Sequence, residues 1–116
     1  MTDDTPPEPT TPRPSLDQLF DALRREPRRR ILTHLCVRPE LSVPTFISER
    51  ARSHPRGQRG LELELHHRHL PQLEACALVE WDRRRSLVKR GRHFDSVSPL
   101  VSLLRDEGHL PPAPWP

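Results

Sequence analysis

Three clusters of side chains in this sequence have the types and spacing to grip a polyanion. The first lies in the run from Glu64 to Leu73, where Arg68 and Gln72 stand four residues apart. That separation is one helical turn, so both would project from one side of a helix. Arginine can pair bidentately with guanine and glutamine with adenine in the major groove of a DNA duplex. Glu64 points away from the apolar side as well, and His67 lies at its margin. The competing reading is a solvated helix face that touches nothing. The second cluster is Arg83-Arg84-Arg85, followed by Lys89, Arg90 and Arg92. Carried on a hairpin tip, these cations would contact a DNA backbone or enter a minor groove. They would equally serve an edge hairpin that must repel other strands. The third is Arg24, Arg25, Arg28, Arg29 and Arg30. Here a phosphate grip through Arg28, Arg29 and Arg30 competes with a solvated face paired locally to Asp21 and Glu26.

Other chemistries find less material. His66 and His69 share a helix face at i, i+3, but two ligands do not close a zinc site. Cys76 lies seven residues beyond His69, about 10 Å along a helix axis and out of reach. The expectation is therefore no metal, with His66 and His69 hydrogen-bonded at the edge of a core. There is no Gly-rich phosphate loop and no nucleophile elbow, and Cys36 and Cys76 have no assignable base partner. No catalytic residue and no cofactor are expected. Trp81 reads as the lid of a small core rather than a base-stacking platform.

These residues need elements to position them. Ser15 can cap a helix with Leu16, Leu19, Phe20 and Leu23 as its apolar stripe, ending before Pro27. Pro27 suits the first turn of a second helix through Ile31, Leu32, Leu35 and Cys36. Ser42 can cap a third, with Pro44 in its first turn and Val43, Phe46, Ile47 and Ala51 turned inward. Residues 53–60 have the composition of a loop. A fourth helix from about Leu61 to Cys76 would bury Leu63, His66, Leu70, Leu73 and Ala77. Pro71 inside it predicts a kink near His67. Residues 78–81 and 86–89 have strand-like composition, with charged residues 82–85 between them as the tip of a hairpin. A last helix from about Ser96 to Asp106 carries Val97, Leu100, Val101 and Leu104, and Gly108 can end it.

Length and composition set the frame. With 116 residues, 33% of them hydrophobic and 4% aromatic, there is material for one domain with a small core. Prolines crowd both ends, so residues 1–14 and 108–116 read as tails and 15–107 as the domain. The net charge is +3, and eighteen of the nineteen cations are arginine. This balance favours a polyanionic partner without specifying one. The cysteines have neither zinc-finger spacing nor the look of a disulfide framework. No apolar run approaches the roughly 20 residues that cross a membrane. The expectation is a cytoplasmic protein with no membrane role.

With the residues placed, the chain resembles the ArsR-type winged-helix superfamily. The matching segments are Arg28-Arg29-Arg30-Ile31-Leu32, Leu41-Ser42-Val43, His69-Leu70-Pro71-Gln72-Leu73 and Leu78-Val79. More narrowly, the run Leu65-His66-His67-Arg68-His69-Leu70-Pro71-Gln72-Leu73, followed by Val79, Trp81 and Asp82, is similar to a small winged-helix domain of unknown function abundant in halophilic archaea. The resemblance covers about residues 15–105. It implies a mainly α fold with a small β-hairpin: a winged helix-turn-helix of about five helices plus a two-stranded wing. It also implies binding to double-stranded DNA in transcription regulation, without catalysis. Glu64, His67, Arg68 and Gln72 would then read bases, while Arg83, Arg84, Arg85 and Lys89 form the wing contacts. The apolar stripes of the first and last helices could supply a homodimer contact. The alternative is a winged-helix protein-interaction or dimerisation module with no DNA role. Three departures stand out. Ala77 replaces the usual Gly after the recognition helix, and the chain is basic where halophile proteins are acid-rich. The segment Val43–Arg52 lacks the Cys-x-Cys of metal sensors.

Overall fold

The computed structural model describes residues 12–110, so the expected tails fall largely outside it, at residues 1–11 and 111–116. The described chain is mainly helical with a small antiparallel sheet. Helix α1 (Leu16–Leu23) begins at a reciprocal cap, in which Ser15 Oγ accepts from the Gln18 N–H and Gln18 Oε1 accepts from the Ser15 N–H. Helix α2 (Glu26–Val37) carries Pro27 in its first turn, where the missing N–H costs nothing. Its residues Ile31, Leu32 and Leu35 are fully buried, and α1 and α6 (Ser98–Asp106) pack against it. Helix α3 (Val43–Arg50) is capped by Ser42, whose Oγ accepts from the Thr45 N–H.

The hairpin pairs β2 (Val79–Asp82) with β3 (Leu87–Arg90), setting Trp81 opposite Val88. Val79 and Trp81 point inward while Glu80 and Asp82 face water, the alternation of a half-buried strand. A third strand, β1 (Glu40–Ser42), joins β3 on its other edge with Leu41 opposite Val88, giving the order β1-β3-β2. The sequence predicts only the two strands of the hairpin and, in this segment, the Ser42 cap. Three residues are too few to show an alternating pattern, so β1 is legible only through its partner.

The long helix expected over residues 61–76 is built in three pieces. Helix α4 runs from Gly57 to Glu64, a π-type segment follows over Leu65–His69, and α5 spans Leu70–Ala75. The Leu70 N–H bonds to the Leu65 carbonyl, five residues back. Pro71 provides the reason, since its ring excludes the regular bond at that point. The consequence is a change of face. Leu65 and Leu70 are both 1% exposed, although a regular α-helix would set residues five apart about 140° from each other. Because of this phase change, Leu63 is 49% exposed rather than buried, and the inner face is Leu61, Leu65, His69, Leu70 and Leu73. The start of α4 also corrects the loop expected at residues 53–60, where only a single 3-10 turn (Ala51–Ser53) and residues 54–56 intervene.

In α1 the expected stripe is only half used. Leu23 is buried and Leu19 packs at the core edge, but Leu16 and Phe20 are 61% and 56% exposed. At the other end, a 3-10 turn (Phe94–Ser96) leads through buried Val97 into α6, which buries Val101. Gly108 closes α6 in the left-handed region at φ +83°, and Leu110 beyond it is buried.

Helix α5 ends the same way with an alanine. Ala77 sits at φ +58°, its N–H bonds to the Glu74 carbonyl, and the Leu78 N–H bonds to the Leu73 carbonyl. Fully buried Leu73 and Leu78 complete the cap. A left-handed alanine costs about 1 kcal/mol that glycine does not. Ala77→Gly is therefore expected to stabilise the fold by about 1 kcal/mol, raising the melting temperature by roughly 5 °C in a thermal unfolding scan. A lowered midpoint would show that the turn carries no strain.

Candidate functional site

The hairpin and the long helix are joined through one indole. Trp81 of β2 meets the ring of His66 edge-on, with centroids 5.3 Å apart. The His66 Nδ1 lies 2.8 Å from the Glu62 carbonyl, which assigns the ring proton to that nitrogen. On the other side, the Arg83 guanidinium lies 4.0 Å from the Trp81 ring centroid and donates to Glu74 Oε1 of α5. Arg83 thus helps fasten the hairpin to α5, and its charge is shared with Glu74. Beyond it, the turn is closed by Asp82 Oδ1, which accepts from the Arg85 N–H. Arg84 and Arg85 stand exposed at the tip with no carboxylate partner among the described residues. Lys89 reaches Glu40 of β1 at 3.6 Å, and Arg90 Nε donates to the Leu35 carbonyl. The cluster of cations is therefore divided, with Arg84, Arg85 and Arg92 left without a carboxylate partner among the described residues.

On the helix, His67 and Arg68 are exposed, and Arg68 pairs with no carboxylate among the described residues. Arg56 and Arg59 are exposed at the start of α4 and add to this side. The sequence reading missed both by assigning them to a loop. The signal available was the spacing of Arg56, Arg59, Leu63 and His67, which continues one helical side backwards through Gly57 and Gly60.

Two of the expected base-reading residues point elsewhere. Gln72 is committed at both ends of its amide: Oε1 accepts from Arg28 and Nε2 donates to Asp21 Oδ2. Glu64 is half-buried, with Oε2 3.2 Å from His54 Nε2 and Oε1 3.3 Å from His69 Nε2. Neither side chain is free to meet a ligand on the outer face. Both were read as outward on a regular helical projection, which the π segment invalidates.

The expected phosphate contacts on α2 are corrected too. Arg28 is 3% exposed. Its Nη2 donates to the Asp21 carbonyl, its Nη1 to Gln72, and Nη1 lies 3.4 Å from His69 Nδ1. Arg29 donates to the Leu23 carbonyl, and Arg30 pairs with Glu26 at 2.8 Å. The cause is local. The first turn of α2 lies against the end of α1, so Arg29 satisfies the Leu23 carbonyl and Arg28 adds a second donor to the Asp21 carbonyl, which also accepts the Arg24 N–H.

These contacts form one polar chain, Asp21–Gln72–Arg28–His69–Glu64–His54, running from α1 to the residues before α4. His69 is 1% exposed. Burial and then the neighbouring Arg28 charge push its pKa down, outweighing the Glu64 carboxylate. A neutral ring protonated on Nε2 donates to Glu64 and accepts from Arg28 on Nδ1, so it serves both neighbours without charge. Burial raises the Glu64 carboxyl, but the hydrogen bonds from His54 and His69 win and hold it below the usual range. Burial lowers the Arg28 pKa against the pull of Asp21, with Arg25, Arg68 and Arg24 adding to the lowering.

The remaining candidates fall into place around this chain. His66, His67 and His69 occupy three different environments, and no group of three His, Cys, Asp or Glu side chains among the described residues is arranged to hold a metal ion. Cys36 and Cys76 are free thiols, both pushed up in pKa by burial. No helix of the described chain is long and apolar enough to cross a membrane. Comparison with protein-family models, curated proteins and solved structures finds no match to this chain.

Proposed function

We propose that the protein is a winged-helix DNA-binding protein of the ArsR-like type, acting in the cytoplasm as a transcriptional regulator without catalytic activity. In this reading α3 and the α4–α5 rod form the helix-turn-helix pair, and the β2–β3 hairpin is the wing. The rod lies in the major groove and offers Arg59, His67 and Arg68. The wing tip offers Arg84 and Arg85 to the flanking backbone. The observation that carries this reading is the clasp at Trp81, which fixes the hairpin against the rod while leaving Arg84 and Arg85 unpaired at its tip. A duplex that meets both elements gains from a rigid spacing, because only side chains and not the two elements themselves need ordering on binding.

The test is fluorescence anisotropy with mixed-sequence duplex DNA over a salt series. Affinity is expected to fall steeply with salt. Replacing Arg84 and Arg85 by Ser is expected to reduce the slope of log K against log salt by about 2, since each lost phosphate contact removes about 0.9. No binding at low salt would sink the proposal, because neutralisation of phosphates must register there first.

A second reading, an interaction module with no DNA role, draws on the exposed apolar side chains Leu16 and Phe20 of α1 and Leu103 of α6. These would dock a second copy of the chain or another protein. Intact function in the Arg84→Ser, Arg85→Ser variant favours this reading.

A further inference from the structure

Beneath the α4–α5 rod lies a cleft of about 530 Å³, walled by the start of α2, by α3 and by residues 53–55. Its volume falls within the range of small-molecule sites, roughly 300–1,000 Å³. One part of the wall is apolar, made by Pro27, Phe46, Pro55 and Leu61, of which Phe46 and Leu61 belong to the core. The rest is charged, and its charges are unequally satisfied. Glu26 is taken by Arg30 and Arg50. Both oxygens of Glu64 are taken by His54 and His69. Arg25 and Arg68 line the same cleft and have no carboxylate partner among the described residues.

We propose that this cleft binds a small organic anion, whose carboxylate-like head lies between Arg25 and Arg68 and whose flat apolar body lies against the apolar wall at Pro27 and Pro55. The two arginines provide forked donors suited to a planar head group. Of the two carboxylates in the wall, Glu26 is paired with two guanidinium groups, and both oxygens of Glu64 are hydrogen-bonded to histidines, so neither is free to compete for Arg25 and Arg68. The buried polar chain behind the cleft supports the same sign of ligand. Burial first makes Arg28 and His69 less basic, and the positive charge of Arg68 adds a smaller push that an anion placed there would offset. The proposal does not depend on DNA binding.

Benzoate serves as the probe, titrated into the full chain by calorimetry. Saturable binding is expected in or below the low-millimolar range, and benzyl alcohol, the same body without charge, is expected to bind at least about tenfold more weakly. The Arg25→Ser, Arg68→Ser double variant removes two exposed, unpaired side chains, so its fold is expected to persist. Its affinity for benzoate is expected to fall by at least about tenfold. In nuclear magnetic resonance spectra, benzoate is expected to shift the ring signals of His54 and His69. Absence of saturation through the low-millimolar range would overturn the proposal. So would equal affinity for benzyl alcohol, unchanged benzoate binding in the double variant, or binding that leaves both histidine signals in place.

Discussion

Gly91→Ala is expected to cost about 3 kcal/mol, the upper end of the usual penalty for overpacking, and to lower the melting temperature by more than about 10 °C. A Cβ at this position would stand 2.4 Å from the Ala77 carbonyl oxygen and 2.7 Å from the Val79 nitrogen. Both are backbone atoms, so no rotamer change relieves the contact. The obstructed segment carries two bonds that tie the end of β3 to the turn after α5. The Gly91 N–H donates to the Leu78 carbonyl at 3.0 Å, and the His93 N–H donates to the Ala77 carbonyl at 2.8 Å. Moving either strand end disturbs the clasp between hairpin and rod. The loss should therefore appear in circular-dichroism melts and, under the proposed function, in DNA affinity as well. A midpoint within about 2 °C of the parent, far less than an overpacked site costs, would show that the backbones are not in close approach.

Arg28→Met is expected to destabilise the protein by about 2 kcal/mol, with Gln72 Oε1 and His69 Nδ1 left facing a thioether and the Asp21 carbonyl left with only the Arg24 N–H. Part of the loss is offset, because the substitution also removes the desolvation of a buried cation whose Nε has no partner. The lost hydrogen bonds outweigh this relief because a thioether offers a donor to none of the three acceptors. Arg28→Lys should recover only part of the stability, since one ammonium cannot reproduce the fork. Chemical denaturation measures the loss directly. A surface phosphate contact would behave in the opposite way, with stability unchanged and DNA affinity reduced.

Helix caps were legible in the sequence because they depend on one or two residues. Ser15, Pro27, Ser42 and Gly108 act in the structure where local rules place them. The hairpin was legible for a similar reason, with strand-forming residues on each side of a charged tip. The inner face of the long helix was not. Extrapolating a regular period backwards from Leu70 selects His66 and Leu63, whereas the π segment substitutes Leu65 and Leu61. Pro71 announced a disturbance but not its kind. The fate of the arginines was equally hidden. Arg28 and Arg84 each sit within an arginine triplet, yet one is enclosed and the other stands in solvent. What separates them is the neighbouring end of α1, a tertiary fact that charge patterning does not encode.

The π segment gives the rod an adjustable joint. Deleting a single residue between Leu65 and His69 would rotate everything upstream by about 100° about the rod axis relative to α5. A length change of one codon would thus re-aim Arg59 and Leu63 while leaving Leu70 and Leu73 seated, and the core would have to exchange Leu61 and Leu65 for other residues. Insertions and deletions at this joint are a route by which a lineage built on this scaffold could alter what its outer side meets.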